Sequence, residues 1–469
     1  MSKRILSLDY LRALAIIGDL IVHIVLLTSD LKPQVEADPF SVGPFYLIIS
    51  ILVIIFGHWR GFFLMISAIV HTFSLAEAIK QGHDRKSILK KQLGFGAFLF
   101  VWGLFREMFL NEWSSPREWL ETGFYRPLQN WSKIYIPDAL ENIALSVIFT
   151  SLIFFFLTRK GGIEKTIRNC IILGIITVIV IFLPQPLYYL VNLTGESFPR
   201  YAGPSSFRGW WDYPLQLLFS QFLASESPLI PHMAYFLFGG IIGLIFTRKI
   251  KKNKLLLWGL ISGFLLMVLG IVWLIFVQTP DLDHIEELIG FAIHPTWFIF
   301  LSLGMQLIGI LLFMWMVEFN RRIRLDWYIR RTRHVRRWGV MALTSYCMLW
   351  IQYPIRKLFS LIFTSYNFID VNQLPFGMMV LLLVTDASFI ALILYAWQQI
   401  KYIGTMEWLM MWLVKRKKKK GRKGDALNIE GTLIHPEPVL WVHPIRPTNT
   451  TYHYQGPESK PILETSKEG

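Results

Sequence analysis

"SLDYLRALAIIGDLIVHIVLL", residues 7 to 27, is apolar over a length that crosses a bilayer as a helix, for which about 20 residues suffice, yet it carries Asp9, Arg12, Asp19 and His23. With about 100° between successive helical residues, positions 9, 12, 16, 19 and 23 share a sector of roughly 80°. The four ionisable groups therefore form one stripe. Charge in the middle of a bilayer is costly, so such a stripe turns to the inside of a bundle or to a water-filled path. It serves either as a structural ion-pair ladder against neighbouring helices or as a polar path lined from both sides of the membrane.

The rest of the chain has the character of that helix. Of 469 residues, 54% are hydrophobic, 15% are aromatic and only 17% are charged, against about 25% charged in soluble domains; mean hydropathy is +0.45. Apolar runs succeed one another from residue 8 to residue 414 with no long polar insertion. These features predict an all-α fold, a polytopic integral membrane helical bundle. The net charge of +15 does not argue for nucleic acid, because Lys and Arg lie in blocks between apolar runs and no base-reading motif accompanies them. Cys170 and Cys347 each fall at or inside an apolar run, which reads as free buried thiols rather than a disulfide framework.

Ten runs meet or approach the length of a crossing: 8–28, 60–79, 89–109, 137–157, 169–192, 229–247, 255–277, 297–318, 339–355 and 375–397. An eleventh, "GPFYLIISILVIIFG" at 43–57, is placed by the basic residues. Loops rich in Lys and Arg stay cytoplasmic. With ten crossings and a cytoplasmic amino terminus, the segments on the inside hold 33 Lys and Arg and those on the outside hold 8. A further crossing at 43–57 would put "KQGHDRKSILKK" and each later basic loop up to "RRIRLDWYIRRTRHVRR" outside, so 43–57 is expected as a re-entrant or interfacial outer segment. The expected plan is a transmembrane domain at 1–397, an interfacial helix and polybasic segment at 398–424, and a flexible cytoplasmic tail at 425–469. In "YIGTMEWLMMWLVKRKKKK" each basic residue near an anionic leaflet contributes on the order of 1 kcal/mol, which makes membrane lipid a partner. No cleavable signal peptide is expected, since charge interrupts the first apolar run. The expected location is the cell membrane, multi-pass, with both termini cytoplasmic.

Within the stripe, Asp19 and His23 stand four residues apart, so the carboxylate can face the imidazole and raise its basicity. That pairing suits a general base; a hydrogen bond from a lone histidine to a carbonyl is the structural alternative. Other polar residues gather at the outer level: His58 and Arg60 at the mouth of the second crossing, Asp138 and Glu141 at the start of the fourth, and His294 before the eighth. They form a candidate rim. His71 near the middle of the second crossing and Asp386 near the middle of the last serve as internal hydrogen-bond partners or as part of the path. Walker A, GxGxxG, HExxH and paired CxxC motifs are lacking, which gives ATP hydrolysis, nicotinamide or flavin chemistry and a metal site no support.

The pattern S-L-D-x-x-R-A-L-A-I at 7–16, with His23 eleven residues after Arg12, resembles the first helix of membrane-bound acyltransferases, among them acyltransferase family 3 and the heparan-alpha-glucosaminide N-acetyltransferase catalytic-domain family. "GFFLMISAIV" resembles their F-F-x-x-S-G helix, with Ala68 in place of the second small residue. "IPDALENIALSVI", "PLIPHMAYFLFGGIIG" and "VMALTSYCMLWIQYPI" resemble later segments in the same order, with Gln352 where relatives often carry His. "YIGTMEWLMMWL" resembles the G-P-L-E-W ending of a related bacterial membrane family.

The resemblance implies transfer of an acyl group, acetyl first among them, from a cytoplasmic coenzyme A thioester to a hydroxyl or amine on the far side. The acceptor class it implies is a glycan or amino sugar. It makes His23 the catalytic residue with Asp19 beside it. The animal N-acetyltransferases carry Asn at the place of His23 and their catalytic His in the following outer segment, about where His58 stands, so both remain open. Arg12, Lys90 and Lys91 are expected to hold the phosphates of the acyl-CoA donor, and Arg60, Asp138, Glu141 and His294 to meet the acceptor. A homodimer is compatible with this plan. A reading from another class is a proton-coupled transporter or flippase, with Asp19, His23, His71 and Asp386 as a proton relay.

Overall fold

The computed structural model describes residues 5–28, 60–110, 115–125, 134–193, 212–223, 228–248, 250–277, 295–319, 325–366, 368 and 374–415, and every regular element among them is helical. In chain order the bundle consists of α1 (Leu6–Thr28), α2 (Arg60–Lys80), α3 (Arg85–Phe109), α4 (Ala139–Leu157), α5 (Thr166–Phe182), α6 (Leu229–Phe246), α7 (Lys252–Phe276) and α8 (Thr296–Met314). The series α9 (Arg333–Val340), α10 (Ala342–Cys347) and α11 (Gln352–Ile362) follows, then α12 (Phe376–Gln399) and α13 (Met406–Lys415). Among the described residues, seven helices are long and apolar enough to span a membrane: α2, α3, α4, α6, α7, α8 with the π turn that extends it, and α12. The 23 residues of α1 also exceed the needed length, whereas α5 has 17. The chain is an all-α polytopic membrane protein.

The distribution of side chains fits lipid as the solvent. Val101 on α3, Ile171 and Ile175 on α5, Phe264 and Leu265 on α7 and Leu392 on α12 are exposed, while Asn142, Ser146 and Thr150 on α4 are buried. Lipid tails accept the apolar surface, and polar groups find partners only inside the bundle. The most enclosed spanning helix, α6, packs on α2, α4 and α5. Small residues allow that approach: a Cβ on Gly243 would stand 2.7 Å from the carbonyl oxygen of Ile69 on α2. Backbone contact of this kind supplies the dispersion energy that replaces a hydrophobic drive between helices in lipid.

Local signals explain the ends that matter below. Asp84 caps α3, its carboxylate accepting from the N–H groups of Lys86 at 3.3 Å and Ser87 at 2.8 Å. At the start of α4 the Glu141 carboxylate reaches back to accept from the Asp138 N–H at 3.1 Å, one arm of a capping box.

Two expected crossings differ. The run 169–192 divides, because α5 ends at Phe182 and a second helix begins at Pro184; a proline offers no N–H to the preceding turn. The stretch 339–355 is not one helix but α9, α10, a 3-10 turn at Leu349–Ile351 and α11. Pro354 cannot donate to the turn before it, so the helix restarts with this residue in its first turn, where a missing N–H costs nothing. In consequence Arg356, expected in an outer loop, lies inside α11 at 2% exposure, its Nε donating to the Phe368 carbonyl at 2.6 Å. The expected outer segment at 43–57 and the expected tail at 425–469 lie outside the described residues.

Candidate functional site

A cavity of about 270 Å³ lies where α1, α2, α3, α4, α10 and α13 meet. Most of its wall is apolar, with Phe95 and Leu99 from α3, Ile143 and Val147 from α4, and Phe236 from α6. Polar groups enter it from distinct helices: Arg12 from α1, Ser67 and His71 from α2, Tyr346 from α10 and Glu407 from α13. Along α4 the wall runs from Ala139 to Val147, which at the helical rise is about 12 Å. The cavity is shorter than the roughly 30 Å apolar thickness of a bilayer.

Arg12 enters the cavity from α1. Its Nη1 donates to the Gly339 carbonyl at 3.4 Å, and Gly339 lies so near α1 that a Cβ there would overlap the Asp9 carbonyl oxygen. The break between α9 and α10 leaves N–H groups at the start of α10, and Glu407 takes them up. Its Oε1 accepts from Leu343 N at 2.8 Å and Thr344 N at 3.2 Å, and its Oε2 accepts from the Thr344 hydroxyl. Burial pushes the Glu407 carboxyl above the usual carboxylate range, and its bonds from Thr344 act in the opposite direction.

Tyr346 enters it from α10. Its hydroxyl donates to Asp138 Oδ2, and its ring lies under Arg106, whose guanidinium carbon is 4.6 Å from the ring centroid. Arg106 Nη1 donates to Asp138 Oδ2 at 2.5 Å and to Glu107 Oε1 at 2.7 Å. Both Arg106 and Glu107 are buried, as is Glu141 one turn into α4. Gly103 makes room for that carboxyl, since a Cβ there would lie 2.6 Å from Glu141 Cδ. A guanidinium, three carboxyl groups and a phenol thus gather at this place, and of the five Tyr346 lines the cavity.

Of the residues expected from sequence, Arg12 is in the cavity wall, whereas Asp138 and Glu141 flank the wall residues Ala139 and Leu140 without lining the cavity, Asp138 being bonded to the Tyr346 hydroxyl. Asp19 and His23 do pair, Oδ1 to Nε2 at 3.5 Å, but they are not among the lining residues. Lys90 and Lys91 are exposed on the first turns of α3 and are not among the residues that line the cavity. Lys91 does share a stripe with Phe95 and Leu99, four residues apart in succession, one turn beyond the cavity. Arg60 begins α2. His58 and His294 lie outside the described residues. Asp386 is buried on α12, within electrostatic range of Arg356.

In the sequence, Tyr346 and Glu407 stand within the family-like segments without a role of their own, and no motif marks Arg106 or Glu107. Arg106 and Glu107 carry the signal that marked α1, a charge inside an apolar helix, and "FREMF" at 105–109 displays it. Glu407 had a weaker signal, an acid among Trp and Met. Its task depends on a break in another helix, which no local pattern reveals. Among the described residues no group of three His, Cys, Asp or Glu is placed to hold a metal ion. Compared with family models, curated proteins and solved structures, the chain finds no match.

Proposed function

We propose that the protein is a transmembrane acyltransferase that moves an acyl group, acetyl foremost, from cytoplasmic acyl-CoA to a hydroxyl or amine of an extracytoplasmic acceptor such as a glycan or amino sugar. The observation that carries this reading is the apolar-walled cavity, which Arg12 and Tyr346 enter from different helices, with the Arg106 and Asp138 cluster bonded behind the Tyr346 hydroxyl. In this reading Arg12, with Lys91 a turn beyond the wall and Lys90 beside it, receives the donor's phosphates at the cytoplasmic face; forked and point cations suit phosphate. The apolar wall takes the pantetheine arm and excludes water from the thioester, so that hydrolysis does not compete with transfer. Asp138, Glu141 and Tyr346, with Arg60 and His294 of the expected rim, meet the acceptor. An imidazole takes the proton released as the acceptor attacks, with His23 and His58 the candidates marked by sequence.

A second reading has its own observation. Asp386 is buried in mid-helix beside Arg356, away from the cavity, and an intramembrane acid of this kind also suits a proton-coupled transporter or flippase. Incubation of the purified protein with radiolabelled acetyl-CoA separates the two. Acyl transfer requires binding of the label and its passage to an added amine such as glucosamine; a protein that does neither belongs to the transport reading.

A further inference from the structure

We propose that His71 is the catalytic imidazole of the cavity, an assignment that rests on the acyl-transfer reading above. Among the described residues that line the cavity it is the one imidazole. It stands at the middle of α2, one turn past Ser67, which also lines the cavity. Its Nε2 is 3.3 Å from the hydroxyl oxygen of Ser151 on α4, and its ring packs against Phe236 with centroids 6.0 Å apart. Both partners are buried. The ring is therefore held from two sides in one orientation. When Nε2 carries the ring proton and donates it to Ser151, Nδ1 keeps a lone pair for the cavity, which is the tautomer a general base needs.

The step balances with the acyl thioester as the only co-reactant. The acceptor oxygen or nitrogen forms a bond to the thioester carbonyl carbon while its proton passes to His71 Nδ1. The carbon–sulfur bond then breaks, the electron pair leaves with sulfur, and His71 returns the proton to the thiolate. His71 ends as it began.

The test uses the full-length protein in detergent, radiolabelled acetyl-CoA, glucosamine as acceptor, and the variants His71→Ala and His71→Gln. The expected result is acetyl-CoA binding within twofold of wild type, label transfer reduced by at least about 100-fold, the lower range for loss of a general base, and partial recovery of His71→Ala with added imidazole. A purely structural histidine gives no such recovery, and that outcome overturns the assignment. So does a His71→Gln protein that is folded and transfers label at the wild-type rate. Should His71→Ala fail to fold, His71→Gln decides alone, because its amide can still reach Ser151. Wild-type protein that binds no acetyl-CoA overturns the acyl-transfer reading itself, a result distinguishable from failure of the His71 assignment.

Discussion

Arg106 neutralises part of a buried carboxyl cluster, and its removal is the most damaging single change in that cluster. Arg106→Met leaves Asp138 and Glu107 without their shared guanidinium in a site with little water. Breaking a buried pair from one side costs about 3–5 kcal/mol. The expected outcome is a large fall in the thermal midpoint of the detergent-solubilised protein, and an unchanged midpoint would show that the cluster is not held by this charge. Tyr346→Phe is milder. It removes one hydrogen bond to a charged acceptor, a loss of about 1.5–3 kcal/mol, and on the acyl-transfer reading it impairs transfer more than donor binding. Equal loss of both would place Tyr346 with the donor. Arg106 and Glu107 were legible as charges inside an apolar run. Their convergence on Asp138 was not, because it depends on α3 and α4 packing side by side and on Gly103 leaving space for Glu141.

Among the elements, the break between α9 and α10 shapes the cavity, and two predictions concern it. Gly339→Ala places a methyl group against the Asp9 carbonyl and 2.9 Å from Ala13 N, so α1 and α9 must separate. Overpacking costs about 1–3 kcal/mol, and the shift also moves the Gly339 carbonyl that receives Arg12. Lower stability together with weaker acetyl-CoA binding is expected; a variant with the wild-type midpoint would mean that the helices part freely. For Glu407, burial sets the folded pKa above the unfolded one. Its contribution to stability is therefore present below the unfolded value and lost as pH rises through the folded value. Wild type should lose thermal stability relative to Glu407→Gln as pH is raised, and parallel curves would contradict the burial of this carboxyl. The sequence located most long helices to within a few residues, since apolar length and flanking charge determine them. It did not locate the break at 341–351, where Pro354, a close glycine and a distant glutamate act together. Nor did it place Arg356, whose charge reads as loop until α12 is seen beside it.

The described helices form an inward-polar, outward-apolar bundle, and the proposed topology puts its basic loops on the cytoplasmic side. Single cysteines at Gly82 and Gly161, in a background lacking Cys170 and Cys347, should react with an impermeant maleimide from the cytoplasmic side only, and one at Gly123 from the opposite side only. Labelling of Gly82 and Gly123 positions from the same side would undo the proposed topology. On the proposed topology and the acyl-transfer reading, Arg12 faces the donor side, the Asp138, Tyr346 and Arg106 cluster faces the acceptor side, and the cavity is the proposed route for the acyl group. The most direct test is vectorial transfer in sealed proteoliposomes of one orientation, with radiolabelled acetyl-CoA on the face of the basic loops and glucosamine confined to the opposite compartment. Labelled N-acetylglucosamine should form in that compartment while free acetyl-CoA stays outside it. Acetyl-CoA that neither binds the protein nor labels the enclosed amine would contradict the account.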